Sequence, residues 1–209
     1  VVNYSSVLSN AVNVNLAGGL DTLIVNATSG NDTATVDVPS GLVNTGANGG
    51  VVNFMSGSVE ALTFNALQGN DSITVVSGTV PVFVDGGDPI GPSGDLLAVL
   101  ADNSVLFLPG PESDEGGFTL DGSERVSFDK IESVSVSDTD TPGNLSVMVC
   151  GTNGADTITM VGRAANAVTV AVNAGPAIVY QGITALALEG KAGDDNIQVD
   201  LNTALLGTT

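Results

Sequence analysis

A turn motif recurring at a fixed interval constrains this chain more than any other feature of it. Gly151-Thr-Asn-Gly154-Ala-Asp156-Thr-Ile158-Thr returns further on as Gly190-Lys-Ala-Gly193-Asp-Asp195-Asn-Ile197-Gln, and the two start positions differ by 39. The same interval of 39 separates Ala27-Thr-Ser-Gly30-Asn-Asp32-Thr-Ala34-Thr from Ala66-Leu-Gln-Gly69-Asn-Asp71-Ser-Ile73-Thr. Each copy runs small residue, two free positions, glycine, any residue, aspartate, polar residue, apolar residue. A fixed period of this size marks a chain built from repeats.

The motif has a physical logic. Glycine at its fourth position permits a positive-φ turn that a Cβ would resist. The aspartate two residues on can bond the turn's own backbone or offer its carboxylate to a cation. Alternation follows, with Thr157 and Thr159 outward and Ile158 and Met160 inward, as in a half-buried strand. Each copy therefore reads as a tight turn feeding a short strand.

Val-, Thr- and Ile-rich segments separated by Gly, Asn, Asp, Ser and Pro occur throughout, and no long window has a helical period. Strands are expected at 11–16, 22–25, 33–38, 51–55, 61–64, 72–76, 80–84, 96–100, 104–108, 118–120, 126–128, 133–136, 145–149, 157–161, 167–172, 177–180, 186–188 and 196–201. The chain is all-β, and its 209 residues form one elongated repeat domain, 1–209, expected to be a segment of something longer. Hydrophobic residues make up 43 % but aromatics only 4 %, so the interior is aliphatic and narrow. One repeat interval accommodates two coils of roughly 20 residues or one larger unit. A parallel β-solenoid buries such an interior by stacking coil on coil. An antiparallel β-sandwich is the alternative, with Asn48-Gly49 and Asn153-Gly154 as hairpin turns. The middle of the chain is degenerate: Ile131, Val134 and Val136 keep the pattern, but Asp138-Thr-Asp140-Thr-Pro-Gly143-Asn replaces the turn. It also carries two Pro/Gly-rich insertions, 86–94 and 109–117, of the kind that gather on one face of a repeat array.

Charge narrows the function. Twenty-three acidic residues face four basic ones (Arg125, Lys130, Arg163, Lys191), giving a net charge of −19 with no histidine. Such a field repels nucleic acid and anionic membranes and attracts cations, so nucleic-acid binding is excluded. No apolar run approaches the roughly 18 residues of a membrane span. Cys150 follows Val147-Met-Val and reads as a buried small hydrophobe, with no histidine to activate it.

The last five positions of each copy resemble the RTX, or haemolysin-type, calcium-binding nonapeptide G-G-x-G-x-D-x-U-x. Gly151 and Gly190 match its first glycine, whereas Thr152 and Lys191 replace its second. Val80-Pro-Val-Phe-Val-Asp-Gly-Gly87, ending in Gly94-Asp95-Leu-Leu, is similar to the same family's strand and turn with an insertion. The resemblance implies a right-handed parallel β-roll or β-helix, exported to the extracellular space or cell surface and stabilised by calcium. It implies scaffold, adhesin or S-layer material of a large bacterial protein. Carried over residue by residue, it implies Asp32, Asp71, Asp156 and Asp195 as calcium ligands, with Asn31, Asn70 and Asp194 as helpers.

An enzyme is the competing class, because parallel β-helices host polysaccharide lyases and hydrolases and a carboxylate pair can cleave glycosidic bonds. A lyase-type site wants a positioned base with cationic help, and this chain has two arginines, two lysines and no histidine. Trp is absent and Tyr4 and Tyr180 are the only tyrosines, so sugar-stacking platforms are scarce. Asp114-Glu115 and Asp138/Asp140 read as solvated acidic loops. Paired outward threonines, as in Thr33-Ala-Thr35, do not repeat regularly enough for an ice-binding array. Asn3, Asn26, Asn31, Asn70 and Asn144 open N-x-S/T tripeptides suited to glycans. The expectation is a non-catalytic structural protein that self-associates through unpaired strand edges at uncapped ends. Binding or degradation of extracellular polysaccharide is the runner-up.

Overall fold

The computed structural model describes residues 11–46, 49–88, 94–120, 123–139 and 144–201. Most of the 86–94 insertion, the Asp140–Gly143 part of the replaced turn, Tyr4, the Asn3 tripeptide and Asn48 lie outside the described residues. Within them the protein is all-β with no α-helix, as expected.

In chain order the strands are β1 (Val12–Val14), β2 (Thr22–Asn26), β3 (Thr33–Asp37), β4 (Leu42–Asn44), β5 (Val51–Phe54), β6 (Ala61–Asn65), β7 (Ser72–Val76), β8 (Val82–Asp85), β9 (Leu96–Ala101) and β10 (Ser104–Pro109). They continue as β11 (Gly116–Leu120), β12 (Val126–Asp129), β13 (Ser133–Asp138), β14 (Leu145–Cys150), β15 (Thr157–Ala164), β16 (Ala167–Val172), β17 (Ile178–Gln181), β18 (Ile183–Glu189) and β19 (Asn196–Asp200). Two sheets result. The larger has the order β1-β5-β4-β3-β7-β9-β13-β17-β16-β15-β19, the smaller β18-β14-β10-β11-β12-β8-β6-β2.

The chain crosses repeatedly from one sheet to the other, and a strand reached one circuit later lies parallel to its predecessor. Thr22 faces Ala61 and Thr33 faces Ser72, in each case across the interval of the turn motif. Thr157 faces Asn196 across that interval as well. The antiparallel pairs are confined to three meanders, β3–β4–β5, β10–β11–β12 and β15–β16–β17, each lying within one sheet. Both sheets are therefore mixed, and an antiparallel sandwich does not describe the pairing between circuits.

The pairing resolves what one repeat interval contains. It is a single circuit with a meander inside it, from β2 through β3, β4 and β5 to β6, rather than two short coils. A step of about half that length does occur, where Leu62 faces Val82.

Strand alternation builds the core. Leu62 and Phe64 of β6, Ile73 and Val75 of β7, Val82 and Val84 of β8 and Leu97 and Val99 of β9 are all buried, with their neighbours turned outward. Inward residues of both sheets join in one continuous cluster running from Val14 to Tyr180. Burying each such side chain contributes about 1.5–3 kcal/mol. Aromatics concentrate at the β10–β11–β12 meander, where Phe118 sits 5.3 Å from Phe107 and 5.9 Å from Phe128 between ring centroids. Gly116 makes that cluster possible, since a Cβ there would come within 2.8 Å of the Phe107 ring.

Candidate functional site: stacked carboxylate corners

Two of the four corners begin with a local hydrogen-bonded loop. In the first, the Thr28 N–H and hydroxyl donate to Asp32 Oδ2 at 2.9 and 2.8 Å. In the third, Thr152 does the same to Asp156, its N–H at 2.7 Å from Oδ2 and its hydroxyl at 3.0 Å from Oδ1. Asn173, from the β16–β17 turn, adds an Nδ2 donor to Asp156 Oδ1 at 2.6 Å and accepts the Thr157 N–H at 2.8 Å.

The corners are then joined between circuits. The Asp32 N–H donates to Asp71 Oδ1 at 2.6 Å, the Asp71 N–H to Asp95 Oδ1 at 2.7 Å, and the Asp95 N–H to Glu132 Oε2 at 2.6 Å. A second, shorter column repeats the bond, Asp156 N–H to Asp195 Oδ1 at 3.0 Å. Every accepting carboxylate in a column caps the amide of the acid one circuit earlier. Bonds from amide to carboxylate are the stronger, charge-assisted kind.

Of the seven residues implied as calcium ligands, the structure places Asp32 and Asp71 in the first column and Asp156 and Asp195 in the second. Asn31 accepts the Asn70 N–H at 3.0 Å, a neighbouring rung on the exposed side of the corner. Asp194 is exposed beside its column. Asp95 and Glu132 belong to the first column and were absent from that set. The signal that finds them is position: each column acid immediately precedes a strand, Asp95 before β9 and Glu132 before β13, just as Asp32 precedes β3.

Burial gives the column its electrostatic character. Asp32, Asp71, Asp95 and Asp156 are all buried. Asp71 Oδ2 and Asp95 Oδ2 are buried with no hydrogen-bond partner. For Asp71 the cause is local. Leu67 stands where Thr28 stands one circuit earlier, and it brings no hydroxyl and a left-handed backbone (φ 80°). Burial raises the Asp71 carboxyl above its ordinary value. Burial raises Asp95 to about 6, helped by the nearby charges of Asp71, Glu132 and Asp85 and opposed by the Asp71 N–H. At Asp156 burial also pushes upward, but the bonds from Asn173 and Thr152, with the Lys191 charge, outweigh it and hold the group low.

The fourth-position glycines divide into two kinds, which corrects the expectation that all four serve a positive-φ turn. Gly69 (φ 140°) and Gly193 (φ 125°) are left-handed, and a Cβ on either would strike the backbone of Gly30 or Gly154 beneath it. Gly30 and Gly154 have no such φ, and a Cβ would meet nothing within 4 Å at Gly30 and only the Thr152 hydroxyl, at 3.6 Å, at Gly154. The motif's glycine is thus needed where one corner seats on another.

Among the described residues no group of three or more His, Cys, Asp or Glu side chains is placed to hold a metal ion. Calcium takes six to eight oxygens, whereas Asp32, Asp71, Asp95 and Asp156 each already place at least one carboxylate oxygen on an N–H donor. The remaining acids are scattered. Asp85 pairs with Lys130 at 3.1 Å, and Asp138 accepts the Asn144 N–H at 2.6 Å. Insertion 109–117 and the Asn173–Pro176 turn wall a cleft of about 320 Å³ containing Glu112 and Glu115, whose one aromatic, Phe107, is buried. Cys150 is buried, as expected, with its thiol 3.5 Å from Glu189 Oε2. Comparison with family models, curated proteins and solved structures returned no match.

Proposed function

We propose that the chain is a non-catalytic structural segment of an exported surface, matrix or filament assembly, built as a β-solenoid whose circuits are riveted by buried carboxylates. The observation that carries this reading is the unbroken run Asp32–Asp71–Asp95–Glu132, which spends the protein's most distinctive acids on holding one circuit to the next. The extracellular setting rests on the RTX-like corners and on the acidic composition. Self-association is its partner mode, because terminal strands of open sheets template further strands. Fibre diffraction of an oriented sample tests the architecture: a meridional spacing of about 4.8 Å supports it, and its absence sinks it. Calcium-dependent stabilisation belongs to the same reading and is tested separately. A ligand bound only to the folded form raises the thermal midpoint, so equal midpoints in chelator and in millimolar calcium remove the metal.

The cleft between insertion 109–117 and the β16–β17 turn favours a second reading, polysaccharide binding or cleavage, with Glu112 and Glu115 as its acids. Incubation with a panel of polysaccharides decides it, and any product overturns the non-catalytic reading.

A further inference from the structure

The outer face of the smaller sheet holds a trough in its middle strands. Phe83 on β8, Ser127 on β12, Gly117 on β11 and Leu108 on β10 are successive partners across four strands. Adjacent strands lie about 4.8 Å apart, so Phe83 and Leu108 stand roughly 14 Å from each other with only a serine and a glycine between them. Phe83, Leu108, Ser127, Arg125 and Glu115 line a cleft of about 270 Å³ here, against insertion 109–117.

Two of these residues depart from the habits of the rest of the molecule. Of the six phenylalanines five are buried in the core, and Phe83 alone turns outward, 37 % exposed. Of the four basic residues, Lys130 pairs with Asp85 and Arg163 Nε donates to the Thr169 hydroxyl at 2.7 Å. Arg125 has no carboxylate partner among the described residues, in a chain with 23 acids. Its guanidinium instead lies against the backbone of Gly117, where a Cβ would come within 2.7 Å of Nη2 and 2.9 Å of Nε. A glycine inside a strand marks a place where another group approaches closely. This one seats a planar fork of N–H donors in the floor of the trough.

An aromatic face, a donor fork and one carboxylate acceptor match a sugar ring. The C–H face of a pyranose lies on Phe83, neighbouring hydroxyls accept from Arg125, and a further hydroxyl donates to Glu115. Glu115 Oε1 takes the Glu112 N–H at 3.0 Å, which leaves Oε2 as the acceptor. Charge selects the class of polymer. An acidic polysaccharide brings many carboxylates against a net charge of −19 and a single guanidinium, whereas a neutral one meets no such repulsion. We infer that this trough binds an uncharged polysaccharide. One acid lines it, and glycosidic hydrolysis takes two, so the site holds its ligand without cutting it. The inference rests on the polysaccharide-binding reading and gives it a second cleft and a ligand class.

Affinity electrophoresis of the full chain tests it, in native gels containing dextran, galactomannan or mixed-linkage β-glucan, with alginate and polygalacturonate as acidic counterparts. At least one neutral polymer is expected to retard the chain, and neither acidic one. Phe83→Ala and Arg125→Ala should each weaken that retardation at least about fivefold, the scale of one lost contact. Arg125→Lys, which keeps the charge and loses the fork, should not restore it. Both positions are exposed, so urea midpoints of the variants should match that of the unaltered chain. Glu112→Gln, which alters only the neighbouring cleft, should leave retardation unchanged. Retardation that survives both alanine variants, or that is lost with Glu112→Gln alone, overturns the trough and leaves polysaccharide binding standing. Retardation by the acidic polymers alone overturns the ligand class. Retardation by none of the five overturns the inference and the binding reading together.

Discussion

Leu67 holds left-handed backbone at φ 80° although 41 % of it is exposed, so it gives little packing in return for the strain. Such a conformation costs a residue with a Cβ about 1–2 kcal/mol and glycine almost nothing. Leu67→Gly is therefore expected to stabilise the fold by about 1 kcal/mol in urea denaturation, and a loss of stability would show that Leu67 packs more than its exposure indicates. Asp95 makes a second case. Its folded carboxyl titrates near 6, above the unfolded value. Below about pH 4 the group is protonated in both states and carries no penalty. Between there and 6 the unfolded chain releases a proton that the folded chain retains, so stability falls as pH rises and the loss is complete above 6. Asp71 acts in the same direction, whereas the lowered Asp156 gives stability that is lost only at more acidic pH. The thermal midpoint should thus be higher at pH 5 than at pH 7, by the equivalent of roughly 1 kcal/mol, since about one pKa unit of the Asp95 shift lies in that window at about 1.36 kcal/mol per unit. Asp95→Asn, which keeps an acceptor for the Asp71 N–H, should flatten that slope, and an unchanged slope would move the effect elsewhere. The corner acids themselves were legible from the motif. Their use was not, because sequence shows that an aspartate follows a glycine but not which amide lies a circuit away. Glu132 escaped for a related reason: it reaches the same place without the glycine.

At the scale of elements, alternation located nearly every strand and failed at one. β4 is three residues, Leu42–Asn44, between Pro39-Ser-Gly41 and Thr45-Gly46, and so short a run among turn formers carries no visible period. Missing it hid the first meander and left open whether one repeat interval makes one circuit or two. Period-two patterning is the same for parallel and antiparallel neighbours, so pairing direction was never readable from it. What fixes the reversal is turn chemistry: Gly41, at φ 63°, packs so close to the Phe54 carbonyl that no Cβ fits. The aromatic meander depends on glycine in a second way. A Cβ at Gly116 would crowd the rings of Phe107 and Phe128 at 2.8 and 3.0 Å. Both rings are buried and cannot swing outward, so Gly116→Ala is expected to cost about 1–3 kcal/mol as overpacking. A urea midpoint that does not move would mean that β11 shifts to make room.

Over the whole molecule, each strand pairs with its immediate neighbours in one of two sheets, so contacts are spread along the sheets rather than gathered in one place. The middle strands β7, β9 and β13 are hydrogen-bonded on both edges and bury their inward residues completely. Among the described residues β19 pairs only with β15, and every one of its residues is exposed. Local opening is least costly where buried apolar contacts are fewest. Amide hydrogen exchange should therefore be fastest in β19, slower in β18 and slowest through β7, β9 and β13, forming a gradient rather than a plateau. Equal protection in β19 and β9 at low protein concentration would instead mean that the circuits unfold as one cooperative unit.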